Sequence, residues 1–462
     1  MKHLCAVILA AGKGTRMKSE LPKVLHLLLN KPLLQYVVEA TRAAGAQEQL
    51  VVVGHEEELV RAALNGRPWA KSCRFARQEP QLGTGHALLT ALPALESNCD
   101  SLLVLCGDTP LLSSGLLSAF MEQFNISGAA AAVLTAVLNE PLGYGRILRD
   151  EAGELTAIVE EKDATAAQKA LREINTGIYC FAKEPLAAAL ATLKNNNAKG
   201  EYYLTDVIAA LRAQGKKLLA LGPAPADEIL GVNDRVQLAA ITKLLQNRIN
   251  NAWMLAGVTI TDPSATYIDA DVEIGVDTVI EPLSFLRAGA VIGQGCYIGV
   301  GTEISAARLG NGVRTRHAII MESEIGDNCE IGPFTYIRPG SKLAARVKAG
   351  HFVELKKAEI GEGSKVPHLS YVGDAVLGSK VNIGCGAITC NYDGRHKYTT
   401  TIGDEAFIGS NTNFIAPVTI GARAVTGAGS TITKDVPPDA LAIERSEQKN
   451  IDGWAKRKKA NE

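Results

Sequence analysis

The chain has 462 residues and carries 48 Lys and Arg against 49 Asp and Glu, a formal net charge of −1 at pH 7. This balance argues against a basic surface for nucleic acid or an anionic membrane, so we expect small-molecule substrates and no nucleic-acid partner. The length exceeds what one hydrophobic core usually supports, which predicts two or three domains. The nine cysteines are scattered and form no CxxC pair, so we expect free thiols in a reducing cytoplasm rather than metal ligands.

The N-terminus indicates a buried strand, because residues 4–9 are continuously apolar and lead directly into a loop rich in Gly and Lys. We therefore interpret this stretch as part of a folded domain and not as an export signal. No run of about 18 apolar residues occurs, so we predict no membrane insertion.

Residues 1–232 alternate strand-like and helix-like patterns. KPLLQYVVEATRAAG predicts an amphipathic helix that ends at Gly45, and SLLVLCGDTP predicts a strand with a polar tip. Apolar strands between helices are typical of an α/β domain with a parallel sheet covered on both faces. Ligands of such sheets bind at the carboxyl ends of the strands, where Gly12 and Asp108 fall.

Residues 233–256 predict a linker helix, because Leu238, Ile241, Leu245 and Ile249 recur at helical spacing. From residue 257 to residue 462 the period changes to six, with Ile or Leu at positions 268, 274, 280, 286, 292, 298 and 304. This repeat predicts a parallel β-helix in which about nine triangular coils share one core. We expect the register to slip at Thr426 and to break between residues 346 and 400, and we expect chemistry where it breaks.

The loop LAAGKGTRMKSELPK, residues 9–23, resembles two phosphate-binding loops without matching either. The P-loop and the dinucleotide-binding loop each require a glycine where this chain has Met17. Gly12 and Gly14 still let backbone N–H groups approach a ligand, and Arg16 and Lys23 add positive charge, which favours a polyphosphate. From these residues alone, a solvated glycine-rich turn is an equal alternative.

The same loop resembles the opening motif of sugar-nucleotide pyrophosphorylases, as do QLGTGHA at 81–87, CGDTPL at 106–111, GYGRI at 143–147, EEKDA at 160–164 and NTGIY at 175–179. With the hexapeptide half, nearly the whole chain is similar to the bacterial family of bifunctional N-acetylglucosamine-1-phosphate uridylyltransferases and glucosamine-1-phosphate N-acetyltransferases. The resemblance implies a Rossmann-like nucleotidyltransferase domain, a long linker helix and a left-handed parallel β-helix. It also implies a cytoplasmic enzyme that makes UDP-N-acetylglucosamine for peptidoglycan and lipopolysaccharide.

The first implied reaction is attack of a sugar 1-phosphate on the α-phosphorus of UTP, in which charge neutralisation matters more than covalent help. The resemblance makes Arg16 and Lys23 the catalytic cations. It implies nucleotide and sugar contacts at Leu9, Ala10, Ala11, Gly12, Lys23, Gln78, Gly83, Thr84, Cys106, Gly107, Asp108, Gly145, Glu160, Asn175 and Asn233. Cys106 stands where the family usually has Tyr.

Magnesium is the implied metal of this reaction. From the residues alone, Asp108 in GDTP fits a turn as well as it fits a Mg²⁺ ligand. The resemblance favours the metal and adds Asn233, in GVN, as the second ligand.

The second implied reaction is acetyl transfer from acetyl-CoA to glucosamine 1-phosphate, which needs a base for the amine proton. The residues alone do not distinguish His317, His351, His368 and His396, and the motif HLSYVGDA selects His368 as the base. The implied sugar-phosphate contacts are Arg338, Lys356, Tyr371 and Asn382, and the implied acetyl-CoA contacts are Cys385, Asn391, Tyr392, Ser410, Ala428 and Arg445. Cys385 replaces a common Ala, and we interpret it as a small filler residue. The family also implies a homotrimer formed through the β-helix.

Two alternatives remain at this stage. One is a sugar-1-phosphate nucleotidyltransferase with a single activity, whose β-helix is structural or regulatory. The other is a non-catalytic binding subunit. HLSYVGDA and CNYDG argue against the first, and Gly12, Arg16, Lys23 and Asp108 argue against the second.

Overall fold

The computed structural model describes residues 3–54, 56–71, 73–96 and 98–459. The chain divides into two compact units, residues 1–245 and residues 246–462. The finer division into 1–232, a linker at 233–256 and 257–462 stays a prediction. Within the described part of the chain, every helix is too short or too polar to cross a membrane.

The first unit is built on a sheet with nine strands among the described residues, and a separate pair of short strands lies beside it. The strands are β1 (Leu4–Leu9), β2 (Leu27–Leu28), β3 (Lys31–Pro32), β4 (Glu48–Val53), β5 (Cys73–Arg77), β6 (Ser101–Cys106), β7 (Ala131–Val137), β8 (Arg146–Arg149), β9 (Leu155–Val159), β10 (Glu173–Ala182) and β11 (Leu218–Leu221). The helices are α1 (Leu33–Ala43), α2 (Glu57–Leu64), α3 (Thr84–Ala91), α4 (Ser114–Ser127), α5 (Ala166–Lys169), α6 (Lys183–Leu190), α7 (Asp206–Ala213) and α8 (Arg235–Leu255), which continues into the second unit. Short 3₁₀ turns cover Thr15–Met17, Lys23–Leu25, Pro68–Ala70 and Leu92–Ala94.

The strand order in the main sheet is β11-β7-β10-β6-β1-β4-β5. Strands β6, β1, β4 and β5 are parallel, as predicted, but β10 runs antiparallel to both β6 and β7. The sheet is therefore mixed, and the prediction of a parallel sheet is correct for β6, β1, β4 and β5 but wrong for β10. The reason is that the chain leaves β7 at the carboxyl edge, forms the β8–β9 hairpin, and enters β10 from the same edge, where Glu173 pairs with Val137.

Apolar residues cover both faces of this sheet. One core combines the sheet with α1 and α4, through side chains such as Leu34 and Phe120. The other core combines it with α3, α6 and α7, through side chains such as Leu88, Leu186 and Ile208. The carboxyl edge of β1 and β6 is left to the glycine-rich loop and to Asp108.

The second unit is a prism of three parallel sheets. Sheet 1 contains Thr259–Ile260, Val279–Ile280, Tyr297–Ile298, Arg314–Thr315, Glu330–Ile331, Lys348–His351, Lys365–His368, Asn382–Ile383, Phe407–Ile408, Val425–Thr426 and Leu441–Ala442. Sheet 2 contains Tyr267–Ile268, Phe285–Leu286, Glu303–Ser305, Ala318–Met321, Thr335–Ile337, Glu354–Lys356, Tyr371–Gly373, Ile388–Cys390, Asn413–Ile415 and Thr431–Ile432. Sheet 3 contains Glu273–Ile274, Val291–Ile292, Arg308–Leu309, Glu324–Ile325, Lys342–Leu343, Glu359–Ile360, Ala375–Leu377, Thr400–Ile402 and Val418–Ile420. A 3₁₀ turn covers Pro263–Ala265, and helix α9 (Trp454–Lys459) ends the described chain.

The predicted hexad positions point into the prism and stack on their copies in the next coil. Ile274 pairs with Ile292, and both are buried. The predicted slip at Thr426 is wrong, because Thr426 is also buried and pairs with Ile408. Its hydroxyl is satisfied by Thr412 Oγ1 and by the N–H of Gly409, each at 3.0 Å.

The coils also continue through most of the predicted break at 346–400. The strict six-residue register fails there because some sides have only five residues, as between the inward-pointing Leu355 and Ile360 and between Val372 and Leu377. The chain leaves the coil only in an exposed loop, residues 392–399. The break in the pattern therefore marks shortened sides and one inserted loop.

Candidate active sites

The nucleotide candidates line a cavity of about 490 Å³ at the carboxyl ends of β1 and β6. Its lining is formed by Leu9, Ala10, Ala11, Gly12, Lys13, Lys23, Val24, Gln78, Gln81, Gly83, Thr84, Ala87, Cys106, Asp108 and Glu201. The predicted contacts Gly107, Gly145, Glu160, Asn175 and Asn233 lie outside this lining. The structure thus brings together ten of the predicted contacts, from segments up to 99 residues apart in sequence.

Two glycines shape the backbone around this cavity. Gly14 has φ +59°, and a Cβ there would lie 2.7 Å from Lys23 Cβ. Gly83 has φ +102°, and a Cβ there would lie 2.7 Å from the carbonyl oxygen of Tyr202. A side chain at either position would strain the backbone and displace a wall of the site.

Lys23 connects the glycine-rich loop to both predicted magnesium ligands. Its Nζ forms an ion pair with Asp108 Oδ2 and lies 3.5 Å from Asn233 Oδ1. Arg16 Nη2 donates to the same Asn233 oxygen at 2.8 Å. Asn233 is held beside Asp108 because the N–H of Val232 donates to the Asp108 carbonyl at 2.9 Å.

The chemistry of these donors fits Mg²⁺. The carboxylate of Asp108 and the amide oxygen of Asn233 both face one cationic nitrogen, Lys23 Nζ, so the two oxygens are placed to share a cation. Mg²⁺ prefers hard oxygen ligands and usually takes one or two from the protein, with waters and phosphates completing its shell.

Polar side chains order the opposite wall of the cavity. The amide nitrogen of the buried Gln78 contacts the carbonyl of Gly83 at 2.9 Å and His86 Nδ1 at 3.2 Å. Its amide nitrogen is therefore engaged within the protein. Gln81, which the sequence reasoning missed, donates to the Ala11 carbonyl at 2.7 Å and fixes the loop against this wall.

The family resemblance implies sugar contacts at Gly145, Glu160, Asn175 and Asn233, and the first three of these lie near β10. The N–H of Asn175 donates to the Gly145 carbonyl at 2.9 Å. Glu160 accepts from Thr205 Oγ1 at 3.3 Å, and burial raises the pKa of its carboxyl. Burial, and then the charge of Glu160, raise the pKa of Tyr179, and a hydrogen bond with the Asn175 side chain opposes the shift. Tyr179 therefore lies close to both Glu160 and Asn175.

Cys106 lines the cavity as an unreactive thiol. Burial, followed by the negative charge of Asp108, raises its pKa to about 12, although Lys23 opposes the shift. The thiol therefore stays protonated at neutral pH and acts as a small neutral side chain.

In the second unit, His368 and three predicted acetyl-CoA positions form a column along the corner between sheets 1 and 2. The carbonyls of His368, Cys385 and Ser410 each accept an N–H from the next coil, at 3.4, 2.7 and 2.8 Å. Arg445 Nη1 donates to the carbonyl of Ala428, the next member of the column, at 2.7 Å. Residues far apart in sequence thus become neighbours because the coils stack.

The predicted phosphate-binding residues lie along sheet 2, with Tyr371 at the start of its strand, next to this corner, and Lys356 at the end of its strand. Arg338 pairs with Glu354 at 2.8 Å, and Glu354 is in register with Tyr371 on the next strand. Lys356 Nζ lies 3.2 Å from Asp374 Oδ2. Lys356 and Tyr371 therefore lie on adjacent strands of sheet 2, and Arg338 directly follows the strand of the preceding coil.

The inserted loop completes this cluster. Asn391 donates to Asp374 Oδ2, the same oxygen that holds Lys356. Contact with Lys356, and then repulsion between the two ammonium groups, lower the pKa of Lys397. Lys356 and Lys397 therefore lie close together beside the Asp374 carboxylate, which already bonds to Lys356 and Asn391. The positive charge at this place favours an anionic ligand.

Some predicted residues are not brought to this corner within one chain. Asn382 is in register with Lys365, three residues before His368, so it lies roughly 10 Å from the corner along an extended strand. Tyr392 is exposed on the loop and donates to the Gly394 carbonyl at 2.7 Å.

Comparison with known proteins covers both units. A family model described as MobA-like NTP transferase domain matches residues 6–176, and one described as bacterial transferase hexapeptide (six repeats) matches residues 399–434. The Bifunctional protein GlmU of Heliobacterium modesticaldum is 53% identical over 99% of this chain and 99% of that protein. Proteins of the same name from Carboxydothermus hydrogenoformans and Brevibacillus brevis are 51% and 50% identical over 97% of this chain, and over 99% and 96% of their own lengths. The chain belongs to the bifunctional GlmU family.

Membership of the GlmU family confirms the predicted resemblance, the fold class and the assignment to a two-activity transferase. The similarity spans both units, so it supports neither a single activity nor a non-catalytic role. The roles of individual residues stay predictions. Asp374, Lys397 and Gln81 join them on geometry, since the sequence patterns that located their neighbours did not identify them.

Proposed function

We propose that this chain makes UDP-N-acetylglucosamine in two reactions, in the cytoplasm. Acetyl-CoA and glucosamine 1-phosphate give N-acetylglucosamine 1-phosphate and CoA, and this product reacts with UTP to give UDP-N-acetylglucosamine and pyrophosphate. The proposal rests on the observation that each compact unit contains the side chains that one of the two reactions needs. Lys23, Asp108 and Asn233 meet in the first unit, and in the second unit sheet 2 runs from the corner of His368 to Lys356 at its other end.

In uridylyl transfer, a phosphate oxygen of the sugar 1-phosphate attacks the α-phosphorus of UTP, and the bond to the β-phosphate breaks. The negative charge that spreads over the phosphoryl oxygens needs fixed cations. Arg16 and Lys23 supply them, and the backbone N–H groups near Gly12 approach the phosphates. Gln78 orients the uracil, while Glu160 and Asn175 hold the sugar.

Magnesium is the proposed cofactor of this step, held by Asp108 and Asn233. When bound, it neutralises phosphate charge and keeps the reacting groups in line. Lys23 pairs with Asp108 and lines the cavity, so its ammonium is placed to contact the substrate phosphates.

In acetyl transfer, the sugar amine attacks the thioester carbonyl, the C–N bond forms and the C–S bond breaks. His368 takes the amine proton, which the departing CoA thiolate finally receives. Arg338, Lys356 and Tyr371 hold the sugar phosphate on sheet 2, with Asn382 as a further contact. The column of Cys385, Ser410 and Ala428 carries acetyl-CoA, with Asn391, Tyr392 and Arg445 beside it.

We further propose a homotrimer formed through the β-helix. The same corner carries three exposed apolar side chains with positive φ, Phe334, Phe352 and Leu369, and the partly exposed His317, whose φ is also positive. The ring centroids of Phe334 lie 5.3 Å from those of His317 and 5.1 Å from those of Phe352. A contact between subunits would cover these bulky, exposed side chains with left-handed backbone conformations. The same contact would bring Asn382 of one subunit to the corner of another.

Two half-reactions and one mass measurement test these proposals. Pyrophosphate release should require UTP, N-acetylglucosamine 1-phosphate and Mg²⁺, and CoA release should require glucosamine 1-phosphate. Pyrophosphate release without CoA release would leave the single-activity alternative, and absence of both would leave a non-catalytic protein. Light scattering should give three times the 48.9 kDa of one chain, and a monomer would refute the trimer.

A further inference from the structure

A second group of polar side chains lies at the amino edge of the first-unit sheet, at the opposite end of its parallel strands from the nucleotide cavity. His3 precedes β1, Cys5 belongs to β1, Glu48 begins β4, and Cys99 precedes β6. One potential ligand atom each from His3, Cys5 and Glu48 lies within 4.8 Å of the other two. Cys99 lies next to this group, because the N–H of the following residue, Asp100, donates to the His3 carbonyl at 3.0 Å; its own thiol contacts the Ser101 carbonyl at 3.6 Å.

The group is buried and incompletely paired. Cys5, Glu48 and Cys99 are 0%, 5% and 3% exposed. His3 Nε2 is buried and has no hydrogen-bond partner among the described residues, and its nearest acidic oxygen, Glu96 Oε2, is 4.0 Å away. A buried ring nitrogen without a partner costs free energy unless a ligand satisfies it.

The surrounding chain holds these atoms in place. The backbone N–H of His3 donates to Asp100 Oδ2 at 3.0 Å. Arg74 pairs with Glu48 Oε1 at 2.6 Å, and the other oxygen, Oε2, accepts from Cys5 Sγ at 3.2 Å. The carboxylate therefore has one oxygen anchored by Arg74 and the other directed at Cys5, where it also accepts from the N–H of Glu96 at 3.4 Å.

We propose that His3, Cys5, Glu48 and Cys99 form a structural Zn²⁺ site. An imidazole nitrogen, two sulfurs and a carboxylate oxygen are zinc ligands, whereas Mg²⁺ takes oxygen ligands. Tetrahedral zinc with bonds of about 2.0–2.3 Å sets its ligand atoms roughly 3.3–3.8 Å apart. The atoms of His3, Cys5 and Glu48 already lie within 4.8 Å of one another, and Cys99 Sγ completes the set by turning away from the Ser101 carbonyl. Binding displaces the thiol protons of Cys5 and Cys99 to solvent, and no electron is transferred.

This proposal replaces the expectation that the cysteines are not metal ligands. Cys5 and Cys99 are 94 positions apart and form no recognisable spacing, so only the pairing of β1 with β6 and β4 reveals the site. The metal would link the beginnings of three adjacent strands. It would not contact the nucleotide cavity, which lies at their other ends.

The test uses the full-length chain, reduced and saturated with Mg²⁺ so that hard oxygen sites are filled. After incubation with Zn²⁺ and gel filtration, mass spectrometry should find one zinc per chain. Co²⁺ in place of Zn²⁺ should give the near-ultraviolet charge-transfer absorption of a cobalt thiolate. Absence of retained zinc, or retained cobalt without thiolate absorption, would overturn the proposal.

Matched variants locate the metal. Cys5→Ala should weaken zinc binding at least about tenfold, whereas Cys180→Ala, which removes another fully buried thiol from the same sheet, should leave it unchanged. His3 is partly exposed, so His3→Gln keeps the test decisive if Cys5→Ala does not fold. Equal binding by His3→Gln and the unmodified chain would exclude this site.

Discussion

Replacing Lys23 by Met tests the proposed uridylyltransferase site at its most connected residue. The ammonium is paired with Asp108 and lies 3.5 Å from Asn233. Only 15% of the Lys23 side chain is exposed, so water would not take the place of the missing charge. Methionine keeps most of the apolar stem and removes the cation alone.

The expected loss follows from this poorly solvated geometry. Two unit charges about 4 Å apart interact by about 4 kcal/mol at an effective dielectric constant of about 20. Removal of one preorganised donor to transition-state charge typically costs about 10²–10³ in rate. We therefore expect Lys23→Met to lower kcat/KM for uridylyl transfer by about 10²–10³-fold and to leave acetyl transfer within about twofold.

The assay is pyrophosphate release at fixed Mg²⁺, with CoA release measured on the same preparation. Lys31→Met is the matched control, because Lys31 also pairs with a carboxylate, Glu39 at 3.1 Å, and is 21% exposed, but does not line the cavity. A loss of less than about threefold in Lys23→Met, or an equal loss in Lys31→Met, would refute the role assigned to Lys23.

Three further outcomes are expected. His368→Ala should lower acetyl transfer by at least about 10²-fold and leave uridylyl transfer unchanged. The control variant His396→Ala should leave both activities unchanged. Equal loss of both activities in folded His368→Ala would contradict the assignment. EDTA should stop pyrophosphate release but not CoA release. Asp108→Asn should raise the Mg²⁺ concentration that gives half the maximal rate at least about tenfold. An unchanged Mg²⁺ concentration would show that Asp108 is not a metal ligand. The raised pKa of Cys106, about 12 against an ordinary 9.0, keeps the thiol protonated below that pH. Iodoacetamide at pH 8 should thus label Cys106 about 10³ times more slowly than in the unfolded chain, with the rate rising about tenfold per pH unit, and rapid labelling at pH 8 would show that the site is more open.

The local parts of the nucleotide site could be predicted from the sequence. Gly14 and Lys23 are close in the chain, and their contact follows from one tight turn after a buried strand. Asn233 is different, because 210 positions separate it from Lys23 and no pattern connects them. The family resemblance predicted Asn233 as a site residue. The structure explains its position, because the N–H of the preceding residue, Val232, donates to the Asp108 carbonyl.

The β-helix shows a different limit of pattern reading. Periodicity located the inward-pointing residues because one apolar side chain per side must face a narrow core. It missed Thr426, since a buried hydroxyl paired with Thr412 satisfies the core without being apolar. It also misread the five-residue sides, such as Leu355 to Ile360, as a loss of structure.

Contacts between coils explain why the sequence did not choose among the histidines. His351 and His368 are in register on adjacent coils and stack with centroids 5.7 Å apart, so the repeat presents the same side chain twice at one corner. What differs is the next coil. Phe352 follows His351, and Leu369 follows His368 on the next coil, so both of these coils carry a bulky side chain at the corner. The coil above His368 instead carries Cys385 and Gly386. A Cβ at Gly386 would lie 2.2 Å from Asn411 Oδ1. The coil above His368 therefore carries smaller side chains than Phe352 and Leu369, which favours the proposed binding of a long thioester on that side of His368.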